Sequence, residues 1–134
     1  MTEAWLIDKS ALVRLAAHPD EPVWSSRVDQ GLVHICAVTV LEAGYSARRG
    51  ADHARLLGST PIARMIVEWD LPAQVTRRAY EVQGLLAAGG QHRAPSIADL
   101  LLAATAEAVG LTVLHCDKDF ELIAEVTGQA LCRL

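Results

Sequence analysis

The sequence predicts an α/β chain: a three-layer α/β/α arrangement around a mainly parallel sheet of four or five strands. Three observations carry this. Short apolar runs of strand length alternate along the chain with longer segments of helical period. Aliphatic residues dominate while aromatics are few (Trp5, Trp24, Trp69, Tyr45, Tyr80, Phe120), which suits a sheet covered by helices on both faces. Four acids, Asp8, Glu42, Asp99 and Asp117, stand where a strand-like run stops or within the first turn of the helix that follows. In an open parallel sheet these positions share one edge. A length of 134 residues and an apolar content of 51% predict one domain, residues 1–134, with a single sizeable core.

Taken in order, residues 4–7 are a short apolar strand ending at Asp8, and residues 10–17 read as a helix stopping before His18-Pro19. Residues 21–30 make a second helix closed by Gly31, and residues 33–38 (VHICAV) are a continuous apolar run, read as a buried central strand. Thr39 opens the next helix with Glu42 three residues later, and Gly50 ends it. A short helix over residues 51–57 is followed by a break at residues 58–61. Residues 66–71 are a third strand, whose acids Glu68 and Asp70 mark it as an edge strand. Pro72 suits the first turn of a long helix reaching residue 88, with Val75, Ala79, Val82, Leu85 and Leu86 on one face, and Gly89-Gly90 ends it. After the loop GGQHRAP, Ser96 caps a helix over residues 97–109 that Gly110 stops. Residues 111–115 are the fourth strand, a helix starts near Asp119, and residues 130–134 are a last strand.

A formal charge of −4 argues against a surface coated with basic residues to grip nucleic acid, although Arg48, Arg49, Arg77, Arg78 and Arg93 remain for local phosphate contacts. Cys36, Cys116 and Cys132 are an odd count without a CxxC pair, which fits reduced thiols better than a disulfide framework. The start, MTEAWLID, has no basic stretch followed by a long apolar one, and no segment reaches the ~18 apolar residues of a membrane span. The expectation is a cytoplasmic protein with no membrane contact.

Four gathered carboxylates repel one another and need a partner. A hard divalent cation, Mg²⁺ or Mn²⁺, takes a few oxygens and keeps waters for chemistry, which makes metal-assisted phosphodiester hydrolysis the first hypothesis. Each acid also has a plainer reading. Thr39 with Glu42, and Ser96 with Asp99, match the [ST]-x-x-[DE] capping box, while Asp8 and either Asp117 or Asp119 can cap the helices after them. Their joint placement on one edge favours function. Asp99 also precedes LLLAATA, so it opens a largely buried helix where an unpaired charge is costly. Ser10 either caps or orients Asp8. Lys9 and Lys118 read as solvated lysines or phosphate contacts, and His92 and Arg93 as loop residues or RNA contacts. The five histidines show no HxxxH or HxH spacing for zinc.

The stretches LIDKSALVRL from Leu6, VTVLEAGYSAR around Glu42, HRAPSIADLLLAATA from His92 and LTVLHCDKDFELIA from Leu111 together resemble the PIN-domain ribonucleases, and within them the VapC-type toxins of bacterial toxin–antitoxin pairs. The resemblance implies a PIN-like α/β/α fold and a Mg²⁺-dependent endoribonuclease, with Mn²⁺ as a substitute. It makes Asp8, Glu42, Asp99 and Asp117 the catalytic acids, Asp8, Asp99 and Asp117 the metal holders, and Ser10 and Asp119 assistants. Where many relatives have Thr after the first Asp, this chain has Lys9. The resemblance further implies a transfer or ribosomal RNA target, a cognate VapB-type antitoxin that blocks the acidic pocket, and homodimerisation.

A phosphorelay receiver is a poorer fit, because Asp70 is badly placed as phosphoacceptor and no suitable lysine follows a late strand. A haloacid-dehalogenase-like phosphatase needs D-x-D after the first strand, where this chain has Asp8-Lys9-Ser10. The alternative from another class is a catalytically inactive PIN-like module used for protein contact.

Overall fold

The computed structural model describes residues 3–59 and 61–134. Five short strands, β1 (Trp5–Ile7), β2 (Val33–Cys36), β3 (Ile66–Glu68), β4 (Thr112–His115) and β5 (Leu131–Arg133), form one sheet in the order β3-β2-β1-β4-β5, every neighbouring pair parallel. From β1 the chain steps outward through β2 to β3, then returns to lay β4 and β5 on the far side of β1. The reversal opens a crevice beyond the carboxyl ends of β1 and β4, where open parallel sheets bind their ligands.

Strand alternation divides the core into two layers. Leu6, Cys36 and Val113 face one side and pack on α6 (Ala73–Ala88), α7 (Ile97–Val109) and α8 (Asp119–Thr127) through Val75, Val82, Leu86, Leu102, Phe120 and Ile123. Trp5, Ile7, Val33, Ile35 and Leu114 face the other side and pack on α1 (Lys9–Leu12) and α2 (Glu21–Asp29) through Ala11, Trp24 and Val28. Helix α3 (Ala37–Tyr45) leaves the end of β2 and contributes Val40 to the second layer, and two short helices, α4 (Gly50–Ala54) and α5 (Leu56–Ser59), follow it. No helix among the described residues is long and apolar enough to cross a membrane.

Several local expectations are corrected. The predicted first helix is α1 followed by a separate 3-10 turn (Leu15–Ala17) that turns Leu15 into the core, before Pro19 holds His18 extended at ψ 141°. The second strand stops at Cys36, not residue 38, because α3 begins at once with Cys36 in the extended N-cap position. Gly58 lies inside α5 instead of breaking it. Pro61–Arg64 then forms a 3-10 turn, and Thr60, part of the predicted break, lies outside the described residues. The third strand is only Ile66–Glu68, yet it does lie at the sheet edge.

Candidate active site

Asp8 directly follows β1, and its backbone N–H donates to the carbonyl of Leu114 at 2.8 Å, so the end of β1 is tied to the end of β4. Its buried carboxylate accepts two hydrogen bonds at one oxygen, Oδ2, from the Ser10 backbone N–H at 3.0 Å and the Ser10 hydroxyl at 2.6 Å. The Ser10 oxygen in turn accepts the Cys116 backbone N–H at 2.9 Å. One hydroxyl therefore bridges the first acid and the loop that carries Asp117. Of the two readings of Ser10 only the orienting one holds, because Asp8 is itself the N-cap of α1 and Ser10, inside the helix, fixes its carboxylate.

Asp117 is set by a neighbour that sequence reasoning had only weighed as a zinc ligand. The buried His115 accepts the Asp117 backbone N–H at Nδ1, 3.1 Å away, so its proton sits on Nε2. Burial lowers the His115 pKa and keeps the ring in the neutral form that this contact needs. The signal was present as a histidine two residues before an acid at a strand end, which no metal spacing captures. The Asp117 carboxylate then accepts the Asp119 N–H at 2.9 Å, an Asx turn that folds Asp119 back towards it.

At the start of α7 a full capping box forms. Ser96 Oγ accepts the Asp99 N–H at 3.0 Å, and Asp99 Oδ2 accepts the Ser96 N–H at 3.1 Å. Capping uses one Asp99 oxygen and leaves the other for a ligand, so the two readings of this acid do not compete. Thr39 and Glu42 form no such box. Thr39 is buried and lies 3.5 Å from the Cys36 sulfur, and Glu42 is the sixth residue of α3, beyond the first turn in which it was expected.

All six predicted site residues, Asp8, Ser10, Glu42, Asp99, Asp117 and Asp119, line one open cleft of about 520 Å³, together with Lys9, Val13, Arg93, Ala94 and Ser96. Within it, one carboxylate oxygen from each of Asp99, Asp117 and Asp119 lies within 4.8 Å of the other two. Asp119, expected only to assist, thus joins the tightest cluster, while Asp8 faces it from β1.

The electrostatics register the crowding. Burial, then the charges of Asp8 and Asp117, push the Asp99 carboxyl up to about 6 against its hydrogen bonds to Ser96. Burial and the charges of Asp8 and Asp99 raise Glu42, with Lys9 opposing. Burial and Asp117 raise Asp119. A site whose acids resist ionising together is one that a cation relieves. The donors are carboxylate oxygens, with no thiol or free imidazole among the cleft residues, so the residues fit a hard divalent ion rather than zinc or copper.

The PIN domain profile matches residues 5–126. Ribonuclease VapC2 of Mycobacterium tuberculosis (strain CDC 1551 / Oshkosh) is 56% identical over 132 residues, covering 98% of this chain and 93% of the relative. Ribonuclease VapC21 of Mycobacterium tuberculosis (strain ATCC 25618 / H37Rv) is 42% identical over 134 residues, covering 96% and 92%. Among solved structures, VapBC2 from Rickettsia felis bound to a DNA fragment from its promoter superposes with a TM-score of 0.77, at 17% identity over 98% of both chains. DNA-bound VapBC from Salmonella typhimurium gives 0.76, at 20% identity and the same coverage. By sequence and by fold, the chain belongs to the PIN-domain family, in the branch that holds the VapC ribonucleases.

Proposed function

We propose that this protein is the toxin of a VapBC-type toxin–antitoxin pair, a Mg²⁺-dependent endoribonuclease that hydrolyses a phosphodiester bond of a transfer or ribosomal RNA and so stops translation. The observation that carries the reading is the convergence of Asp8, Glu42, Asp99, Asp117 and Asp119, from four separate parts of the chain, in one cleft at the reversal point of the sheet. The relatives named ribonuclease VapC support the same reading.

Asp99, Asp117 and Asp119 would hold the ion, with Asp8 completing its surroundings. Mg²⁺ or Mn²⁺ held there would supply a more acidic water and positive charge to offset that of the phosphate. Asp8, locked by Ser10, and Glu42 would accept hydrogen bonds from a water in the cleft and so orient it for attack on phosphorus. His115 and Ser10 keep Asp117 and Asp8 still while this happens.

The partner reading has a surface to go with it. Next to the acids, sharing Lys9 and Glu42 with them, an apolar groove is walled by Leu41, Tyr45, Leu71 and Ile97. Tyr45 is 92% exposed and Ile97 72%, a patch that a VapB-type antitoxin segment would cover while blocking the cleft. The resemblance also carries pairing of two copies of the chain.

The test is digestion of total cellular RNA by the purified chain with Mg²⁺ or Mn²⁺, with cut ends mapped by sequencing and Asp99→Asn run in parallel. Discrete, metal-dependent cuts that fall by at least about a hundredfold in the variant are expected. No metal-dependent cutting, from a chain shown to bind Mn²⁺, would return the protein to the class of inactive PIN-like binding modules.

A further inference from the structure

The cleft that gathers five carboxylates must also admit a polyanion, and one or two divalent ions do not by themselves turn so acidic a wall positive. Among the described residues two cationic side chains line it, Lys9 and Arg93. They differ in what already holds them. Lys9 donates to the Ser46 hydroxyl at 2.7 Å and offsets the charge of Glu42, so it is committed to the wall shared with the apolar groove. Arg93 makes no hydrogen bond or ion pair among the described residues, although five acids line the same cleft. Elsewhere Arg49, Arg64, Arg78 and Arg133 each pair with a carboxylate, and Arg14 bonds the Ser10 carbonyl.

The base of Arg93 is fixed even though its head is not. The loop after α6 is pinned by the Gln91 N–H to the Leu86 carbonyl at 2.8 Å and the Ala94 N–H to the Gln91 carbonyl at 3.2 Å. Two residues on, Pro95 is buried and Ser96 is locked in the capping box of Asp99. A long guanidinium arm on an anchored stem, beside the acid cluster and without a partner among the described residues, is arranged to take an anion from outside.

Building on the ribonuclease reading, we propose that Arg93 is a substrate-binding residue that clamps a phosphate of the RNA backbone beside the acid cluster, as the planar fork of arginine suits two phosphate oxygens at once. Among the described residues no aromatic side chain lines this cleft on which a base would stack. Arg93 therefore grips backbone without reading sequence, and contacts outside the cleft choose the cutting site.

The experiment compares Arg93→Gln and Arg93→Lys with the unchanged chain. Arg93→Gln is expected to keep Mn²⁺ binding and the same set of cut sites, to raise KM by about tenfold with a smaller change in kcat, and to lower the salt slope of binding by about 0.7. Arg93→Lys recovers part of the loss. Unchanged KM and salt slope in Arg93→Gln would overturn the proposal, as would a loss of Mn²⁺ binding in that variant.

A second readout does not need catalysis. Binding of a fluorescein-labelled single-stranded RNA of mixed sequence is followed by anisotropy in Asp99→Asn and in Asp99→Asn with Arg93→Gln. Binding about tenfold weaker in the double variant supports the clamp. Equal binding, or none by either, overturns it. Arg93-dependent binding by a chain whose wild type cuts no RNA would sink the ribonuclease reading and leave the phosphate clamp standing.

Discussion

Asp99 is asked to do two opposed things, and the conflict is measurable. Its carboxylate caps a backbone N–H, which favours the charge, yet it is largely buried beside Asp8 and Asp117, which disfavours it, and the second effect wins. With the pKa raised from 3.8 to about 6 in the folded chain, the folded state holds the proton more tightly than the unfolded one. The stability contributed by the protonated form is thus lost as pH climbs through about 6. In EDTA, Asp99→Asn, which keeps an oxygen for Ser96 and removes the charge, should raise the melting temperature more at pH 7.5 than at pH 4.5. The lowered His115 pKa pulls the other way in the same range, but it is common to both proteins and cancels in the difference. Mg²⁺ should stabilise the unchanged chain more at pH 7.5 than at pH 4.5, and an equal gain at both would show that the ion does not meet this carboxylate. None of these magnitudes was legible in the sequence, because burial and neighbouring charge come from separate segments that only the fold brings together, Asp8 after β1 and Asp117 after β4.

At the scale of the element, one motif gave two outcomes. Ser96-x-x-Asp99 and Thr39-x-x-Glu42 are the same pattern in sequence, but only the first forms a capping box. The difference lies upstream. Pro95 is buried, and Ser96, extended at φ −73° and ψ 165°, starts α7 after a loop, whereas α3 grows straight from β2 and already contains Thr39. A side chain inside a helix cannot cap its start. Ser96→Ala should therefore cost about 1 kcal/mol in urea unfolding, with Ser96→Thr recovering most of it. Loss of less than about 0.3 kcal/mol would mean that the cap does not hold α7. Elements with strong terminal signals were placed closely from sequence, such as α6 behind Pro72 and α7 ending at Gly110, whose φ of +75° is the left-handed conformation glycine adopts freely. The 3-10 turn after α1 and the split between α4 and α5 were not, since short turns carry no periodic signal.

For the whole molecule, the acids were readable before the sheet was, because Asp8 and Asp117 come just after strands, Glu42 and Asp99 stand near helix starts, and the ends of parallel strands share one edge. The order β3-β2-β1-β4-β5 turns that inference into a place, bringing β1 and β4 side by side and opening the crevice over them. What sequence missed was the scaffold that holds the acids, since Ser10 to Cys116 and His115 to Asp117 are contacts of a hydroxyl and an imidazole with loop backbone. Asp119, expected to assist, joins Asp99 and Asp117 in a cluster whose oxygens lie within 4.8 Å of one another, because the Asx turn at Asp117 folds the chain back on itself. The central claim is that this cluster is a divalent-metal site. It is tested most directly by anomalous diffraction from crystals of the purified chain grown with Mn²⁺. The account predicts an anomalous peak in the cleft, in contact with oxygens of Asp99, Asp117 and Asp119. A cleft with no anomalous density at saturating Mn²⁺, or Mn²⁺ bound only elsewhere, would contradict it.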